Sequence, residues 1–111
     1  MDWYIVKFLY PHAFNKFLET SFPNTGIVSL STLLLYDNKK LYSFFDKEGI
    51  FLIVERYHTS LWNYNISLKN GVCFGFGGGS KKSREEVEDE GFSECFAVLD
   101  KLLMIKKQSI Y

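Results

Sequence analysis

The chain is 111 residues long, 47% hydrophobic and 23% charged, and thirteen basic residues balance thirteen acidic ones. These values predict a single globular domain over residues 1–111 whose core needs neither a disulfide nor a metal. The balanced charge argues against nucleic acid as a partner, because phosphate binding usually requires a basic excess. No apolar run approaches the roughly 20 residues that cross a bilayer, so no membrane partner is expected.

Cysteine and aromatic content add two expectations. The start of the chain lacks the basic and apolar regions of a secretory leader, so Cys73 and Cys95 are expected to be free thiols in a reducing cytoplasm. Aromatic residues make up 18% of the chain, which is more than a small core easily encloses. Either some of these rings face a contact surface, or the core is simply rich in phenylalanine.

The first part of the chain predicts a strand and then a helix. Strand-forming side chains dominate residues 2–9, which favours a β-strand. Pro11 suits the first turn of a helix, and apolar residues recur at helical spacing up to Phe22, so a helix is expected near 11–21. A turn signal at 23–26 then precedes a short strand at 27–30.

The middle of the chain predicts a second helical segment and a buried strand. Helix is expected near 31–48, with a new start at Asp37 or Asn38 and an end at Gly49. The strand that follows, near 50–57, is apolar on both faces. Such a pattern is typical of a central strand in its sheet.

Two further strands, near 61–68 and 72–76, predict a hairpin with one apolar face. A three-residue loop that ends at a left-handed Gly71 would pair Ile66 with Phe74 and Tyr64 with Phe76, all on that face. The opposite face would carry small and mostly polar residues: Asn63, Asn65, Ser67, Cys73 and Gly75.

A long amphipathic helix is expected near 83–106. Ser83 and Glu86 form a capping box, and acidic residues precede basic ones along the helix, as the helix dipole favours. The predicted buried stripe comprises Val87, Phe92, Cys95, Phe96, Leu99, Leu102 and Leu103. The predicted fold is therefore α+β: a mostly antiparallel sheet that helices cover on one face.

The glycine-rich segment before this helix is the first candidate for ligand binding. Its members, proposed as an anion site at a helix start, are Gly77, Gly78, Gly79, Ser80, Lys81, Lys82, Ser83 and Arg84. A Walker loop would need glycine immediately before its lysine, and here Ser80 precedes Lys81. The segment can therefore be a connector, a contact for an anion or nucleotide, or an interface loop.

The second candidate is the small polar face of the hairpin with neighbouring aromatic residues. Residues expected to stack on a ligand or to form an interface are Trp3, Tyr57, Trp62, Asn63, Asn65 and Cys73. Small side chains permit close approach of another chain or of a flat ligand. The same pattern also fits an ordinary solvent-facing side of a sheet.

No catalytic or metal-binding constellation is evident in the sequence. His12 and His58 have no paired spacing with the two cysteines, so neither a metal site nor a cofactor is expected. Cys95 lies on the apolar stripe and is expected to be a core residue. Enzymatic activity is disfavoured without being excluded.

The segment Trp62–Leu68, the glycine turn and the start Ser83–Glu88 of a Phe- and Leu-rich helix resemble small uncharacterised phage and prophage proteins. Those proteins have an aromatic strand pair followed by an Arg-Glu-Glu-x-Glu helix. The resemblance covers roughly residues 61–103 and carries no functional residue across. It implies a viral origin, a location in the host cytoplasm, and a host protein or a small anionic ligand as partner.

Three functions follow from these expectations. The first is a small non-enzymatic binding protein that acts through protein contacts or as a homo-oligomer. The alternative is a sponge that sequesters an anionic nucleotide-like ligand at the glycine-rich segment and an aromatic surface. A small hydrolase comes third, because no acid, base and nucleophile arrangement supports it.

Overall fold

The computed structural model describes residues 2–22, 33, 37–59, 61–71, 73–79 and 83–108, with backbone only at 57, 58, 73–79, 107 and 108. The described elements are, in chain order, α1 (Trp3–Leu9), α2 (Pro11–Ser21), α3 (Asn38–Lys47), β1 (Ile50–His58), β2 (Leu61–Leu68), β3 (Cys73–Gly79) and α4 (Arg84–Gln108). The three strands form one antiparallel sheet in the order β1-β2-β3. The α+β class is confirmed.

Residues 2–9 form a helix, and the strand predicted there is wrong. The Asp2 carboxylate caps α1 by accepting hydrogen bonds from the backbone N–H groups of Tyr4 at 3.0 Å and Ile5 at 3.3 Å. Trp3 and Val6, three positions apart, are both buried on the inner side of the helix. Tertiary packing of this face overrides the strand propensity of the individual residues.

The helices predicted near 11–21 and 31–48 are confirmed where the structure describes them. Pro11 is the first residue of α2. The Asp37 carboxylate caps α3 through the Lys39 N–H at 2.9 Å, and Gly49 follows the helix end with a positive φ of 77°. The turn at 23–26, the strand at 27–30 and most of 31–36 lie outside the described residues.

In the described part of the sheet β1 pairs with β2 alone. The strand predicted at 27–30 lies outside the described residues, so the central position predicted for β1 stays a prediction. Its inner face, with Ile50 and Leu52, is buried beneath the helices. On its outer face Phe51 is half-buried and Ile53 is exposed. Because β1 is apolar on both faces, the apolar side chain of Ile53 is exposed on the outer surface of the sheet.

The hairpin has the predicted loop but only part of the predicted register. Gly71 has a φ of 88°, and its N–H donates to the Leu68 carbonyl at 2.8 Å, as expected for a three-residue loop. Ile66 pairs with Phe74, which confirms the register near the turn. The predicted pair of Tyr64 with Phe76 is wrong: Phe76 faces Asn65, because Gly75 is the extra residue of a β-bulge.

The three glycines are part of a strand, so the loop predicted for them and the strand end at 76 are wrong. β3 runs to Gly79, with Gly77, Gly78 and Gly79 opposite Tyr64, Asn63 and Trp62. A strand without side chains can still complete its backbone hydrogen bonds, because the ladder uses only N–H and C=O groups. Backbone pairing with β2 therefore makes the three glycines part of a strand, which their composition does not predict.

α4 begins with the predicted cap and covers the sheet. Ser83 Oγ accepts a hydrogen bond from the Glu86 N–H at 3.2 Å, and the helix packs on all three strands. The predicted stripe is buried from Val87 to Leu99. Leu102 is 38% exposed, so its predicted burial is wrong, because α4 extends beyond the core at that point.

The core is rich in phenylalanine. Eight aromatic rings of the described residues are buried in one cluster: Trp3, Phe14, Phe17, Phe44, Phe45, Tyr64, Phe92 and Phe96. Phe96 of α4 lies at its centre, 5.7 Å from the Phe17 ring and 4.9 Å from the Phe45 ring, both edge to face. Packing of these rings joins α1, α2 and α3 to α4 and explains much of the aromatic composition.

Candidate interaction surface

α1 presents four large apolar side chains to solvent. Tyr4, Ile5, Phe8 and Leu9 are between 52% and 82% exposed. They occupy two adjacent pairs four positions apart, which places them on one side of a helix whose other side carries Trp3 and Val6. Single exposed apolar residues are common on proteins, whereas a contiguous apolar patch marks an interaction site. We call these four residues the α1 surface.

The α1 surface stands on a rigid base. The Trp3 ring stacks on Phe17 of α2, with centroids 5.3 Å apart and planes at 13°, and meets Phe96 of α4 edge to face at 5.7 Å. These ring contacts hold α1 against α2 and α4.

A buried carboxylate fixes the helix that follows α1. Asp100 of α4 accepts hydrogen bonds through Oδ1 from the backbone N–H of His12 at 2.8 Å and of Ala13 at 3.0 Å. These donors lie in the first turn of α2, where no intrahelical acceptor exists. Asp100 thus caps α2 from a distant part of the chain and anchors the α1–α2 junction on α4.

A second apolar surface lies on α4. Its last turns expose Leu102, Met104 and Ile105. Beside them, a groove of about 360 Å³ runs between α4 and the end of β2. Its lining residues are Leu68, Glu94, Ala97, Val98, Lys101, Leu102 and Ile105. We call this the α4 groove.

The residues predicted as an anion site are placed in structural roles wherever they are described. Gly77, Gly78 and Gly79 pair with β2, and Ser83 caps α4. The Arg84 guanidinium lies 5.7 Å from the centroid of the Trp62 ring, at cation–π distance. Ser80, Lys81 and Lys82 lie outside the described residues.

Where their side chains are described, the residues predicted for stacking or an interface lie in two separate places. Trp3 is buried in the core, and Trp62 is half-buried and packs against the core. Asn63 and Asn65 lie on the outer face of the sheet, opposite Glu55 and Ile53 of β1, and Asn65 Oδ1 is buried without a hydrogen-bond partner in the described structure. Tyr57 and Cys73 are described by their backbone alone.

A partly buried polar pair links α3 to α4. The Tyr42 hydroxyl donates to Glu88 Oε2 at 2.7 Å, and Asn38 Nδ2 lies 3.5 Å from Oε1 of the same carboxylate. Burial, followed by this hydrogen bond to Glu88, raises the pKa of Tyr42. A phenol with a raised pKa stays protonated at neutral pH, so the Tyr42 hydroxyl keeps the proton that it donates to Glu88.

Cys95 and His12 are the described cysteine and histidine side chains that the sequence offers for metal binding or nucleophilic chemistry. Burial raises the pKa of the Cys95 thiol, which keeps it unreactive in the core. His12 is exposed, and its backbone N–H is the group that Asp100 holds. Across the described ranges, no three His, Cys, Asp or Glu side chains gather as a metal would require.

The described helices also lack a segment with the length and apolar content to cross a bilayer. Comparison with protein-family models, with curated protein sequences and with solved structures finds no match. The features that remain for function are those of the molecule itself: an α+β scaffold with two apolar helical surfaces.

The sequence contains a signal for the α1 surface that strand propensity obscured. Asp2 is a good helix cap, and Trp3 and Val6 have helical spacing, as do Tyr4 and Phe8. A helical interpretation of residues 2–9 would have placed Tyr4 and Phe8 opposite the buried pair.

Proposed function

We propose that this protein is a non-enzymatic binding protein that acts through protein contacts, and that the α1 surface is where its partner binds. The observation that carries this is the exposure of Tyr4, Ile5, Phe8 and Leu9 on one helix that is fixed to the core. Two aromatic rings among four apolar side chains match the composition of energetic centres in protein interfaces.

The charge pattern on α1 supports a protein rather than a polyanion as partner. Lys7 is the one basic residue in this helix, and Asp2 precedes it. If the chain is phage-encoded, as the sequence resemblance implies, the partner is a host protein. Self-association, the other form of protein contact, is a separate outcome of the same measurements.

Paired polar substitutions test the α1 surface. Ile5→Asn with Phe8→Asn removes apolar area from exposed positions, whereas Ile53→Asn makes the same kind of change on the outer face of the sheet. Proteins captured from lysate of cells that carry the gene are compared for wild type and both variants. A partner retained by Ile53→Asn and lost by the double variant is expected.

Light-scattering mass of the same three proteins detects self-association through α1. A mass above monomer that only the double variant loses would make the partner a second copy. Equal capture and equal mass for all three proteins would refute a binding role for α1.

An anionic ligand at the start of α4 is the second candidate function. Arg84 and the partly exposed Trp62 place a cation and an aromatic ring 5.7 Å apart beside the helix N-terminus, a combination that suits a nucleotide. A nucleotide that raises the melting temperature of wild type, but not of Arg84→Gln, would favour this candidate. Lys16→Gln, at a cation on α2, is the control with the same loss of charge.

A further inference from the structure

Two opposite charges flank the α4 groove. Glu94 and Lys101 are exposed and line the same side of α4. Seven residues separate them, which is two helical turns or about 10.5 Å along the axis. They are therefore too far apart to pair with each other, and within the described part of the chain neither forms a hydrogen bond or ion pair.

Apolar and small residues fill the space between and beyond these charges. Ala97 and Val98 lie midway, and Leu102 and Ile105 extend the apolar strip toward the end of the helix. The spacing of positions 94, 97, 101 and 105 keeps them on one face of α4. The small Ala97 allows another backbone to approach closely.

We propose that the α4 groove binds α4 of a second copy in antiparallel orientation. A two-fold axis between Ala97 and Val98 would bring Glu94 of each copy opposite Lys101 of the other. One patch would then supply both halves of two identical ion pairs, as a two-fold interface requires. A parallel arrangement would place like charges opposite each other.

The charge gradient of the whole helix favours the same orientation. Acidic residues dominate its first turns, from Glu85 to Glu90, and Lys101 and Lys106 follow at its end. Antiparallel neighbours align acidic with basic halves and oppose their helix dipoles. The charge gradient therefore favours a second copy of this chain as the partner over an apolar peptide that lacks acidic and basic residues in this order.

The dimer goes beyond the proposed function and is argued independently of it, and a two-fold pair would present the α1 surface twice. Two linked sites bind a repeated or dimeric partner more tightly than one site does. The contact involves far fewer than the 20–30 residues per side of a standard interface. Association should accordingly be weak and concentration-dependent.

Charge exchange tests this geometry by sedimentation equilibrium. Glu94→Lys alone, or Lys101→Glu alone, replaces two attractions by two repulsions and should raise the dimer dissociation constant about tenfold. The double exchange Glu94→Lys with Lys101→Glu restores opposite charges across the axis. It should return the constant to within about threefold of wild type. Glu19→Lys, on α2, changes the net charge equally and should leave the dimer intact.

Three results would overturn the dimer. The first is wild-type protein that stays monomeric at every concentration. The second is a double exchange no better than the single variants. The third is a dimer that dissociates with Ile5→Asn and Phe8→Asn but not with Glu94→Lys; contact would then run through α1, and the proposed function would stand. Conversely, the charge variants can change the dimer dissociation constant as expected while the α1 substitutions change neither capture nor mass. That result would support the dimer and refute the proposed function.

Discussion

Among single substitutions of the α4 carboxylates, Asp100→Ala should lower the free energy of unfolding the most. The side chain is 6% exposed and its Oδ1 accepts the backbone N–H groups of His12 and Ala13 at 2.8 and 3.0 Å. Alanine would leave both donors without this acceptor at the start of α2. The α1–α2 junction would lose its anchor on α4.

The expected loss of unfolding free energy follows from the type of hydrogen bond that is removed. Hydrogen bonds to a charged group contribute about 1.5–3 kcal/mol each, and a buried donor left unpaired adds a desolvation penalty. Since the first-turn N–H groups can recruit some water, a combined loss of about 3 kcal/mol is expected. For a domain of this size that corresponds to a fall in melting temperature of roughly 10 °C.

Urea unfolding of three variants measures this effect. Asp2→Ala removes an exposed local cap of α1 with two similar hydrogen bonds and should cost about 1 kcal/mol. Asp100→Asn retains an oxygen acceptor without the charge and should cost about half as much as Asp100→Ala. Equal losses for Asp100→Ala and Asp2→Ala would refute the view that the buried carboxylate anchors α2.

Two further predictions concern the core and its pH dependence. The pKa of Tyr42 is raised in the fold, so above about pH 10 the unfolded phenol loses its proton before the folded one, and stability falls as pH rises. Tyr42→Phe should lessen that slope by up to about 1.4 kcal/mol per pH unit. Urea unfolding of wild type and Tyr42→Phe between pH 9 and about 11 measures the difference, and an unchanged slope would contradict it. A Cβ at Gly91 would lie 2.6 Å from Leu52 Cδ1, so Gly91→Ala should lower the unfolding free energy by about 1 kcal/mol despite the better helix propensity of alanine. An increase in stability would show that Leu52 moves aside freely.

The sequence predicted correctly those helix ends and turns whose conformation depends on residues within a few positions. Pro11 begins α2, Gly49 ends α3, and Ser83 with Glu86 caps α4, each through a backbone preference or a hydrogen bond within a few residues. The loop at Gly71 likewise needs only the positive φ that glycine permits. Such features can be read from the sequence without knowing the rest of the fold.

Elements decided by distant contacts were not predictable in this way. Residues 2–9 favour a strand by composition, and the packing of Trp3 on Phe17 and Phe96 overrides that preference in favour of the helix that Asp2 caps. The bulge at Gly75 shifts the register by one residue, and β3 then continues through glycines that have no sequence preference for a strand. The hydrogen bonds from α2 to Asp100 join residues 88 and 87 positions apart.

The candidate sites show the same division. The glycine-rich segment was conspicuous in composition, yet its glycines complete a sheet. The exposure of the α1 surface follows from the inward orientation of Trp3 and Val6, because exposure depends on the direction in which a helix is docked. The α4 groove needs Leu68, which the fold brings to a helix that begins sixteen residues later.

Urea unfolding of the Ile5→Asn and Phe8→Asn double variant decides whether α1 carries a binding surface or a folding surface. Side chains that serve a partner are dispensable for folding, so each substitution should change the unfolding free energy by no more than about 0.5 kcal/mol while capture or association is lost. A destabilisation of about 2 kcal/mol or more, as in the truncation of core residues, would instead make the exposed face of α1 part of the fold and contradict its role in binding.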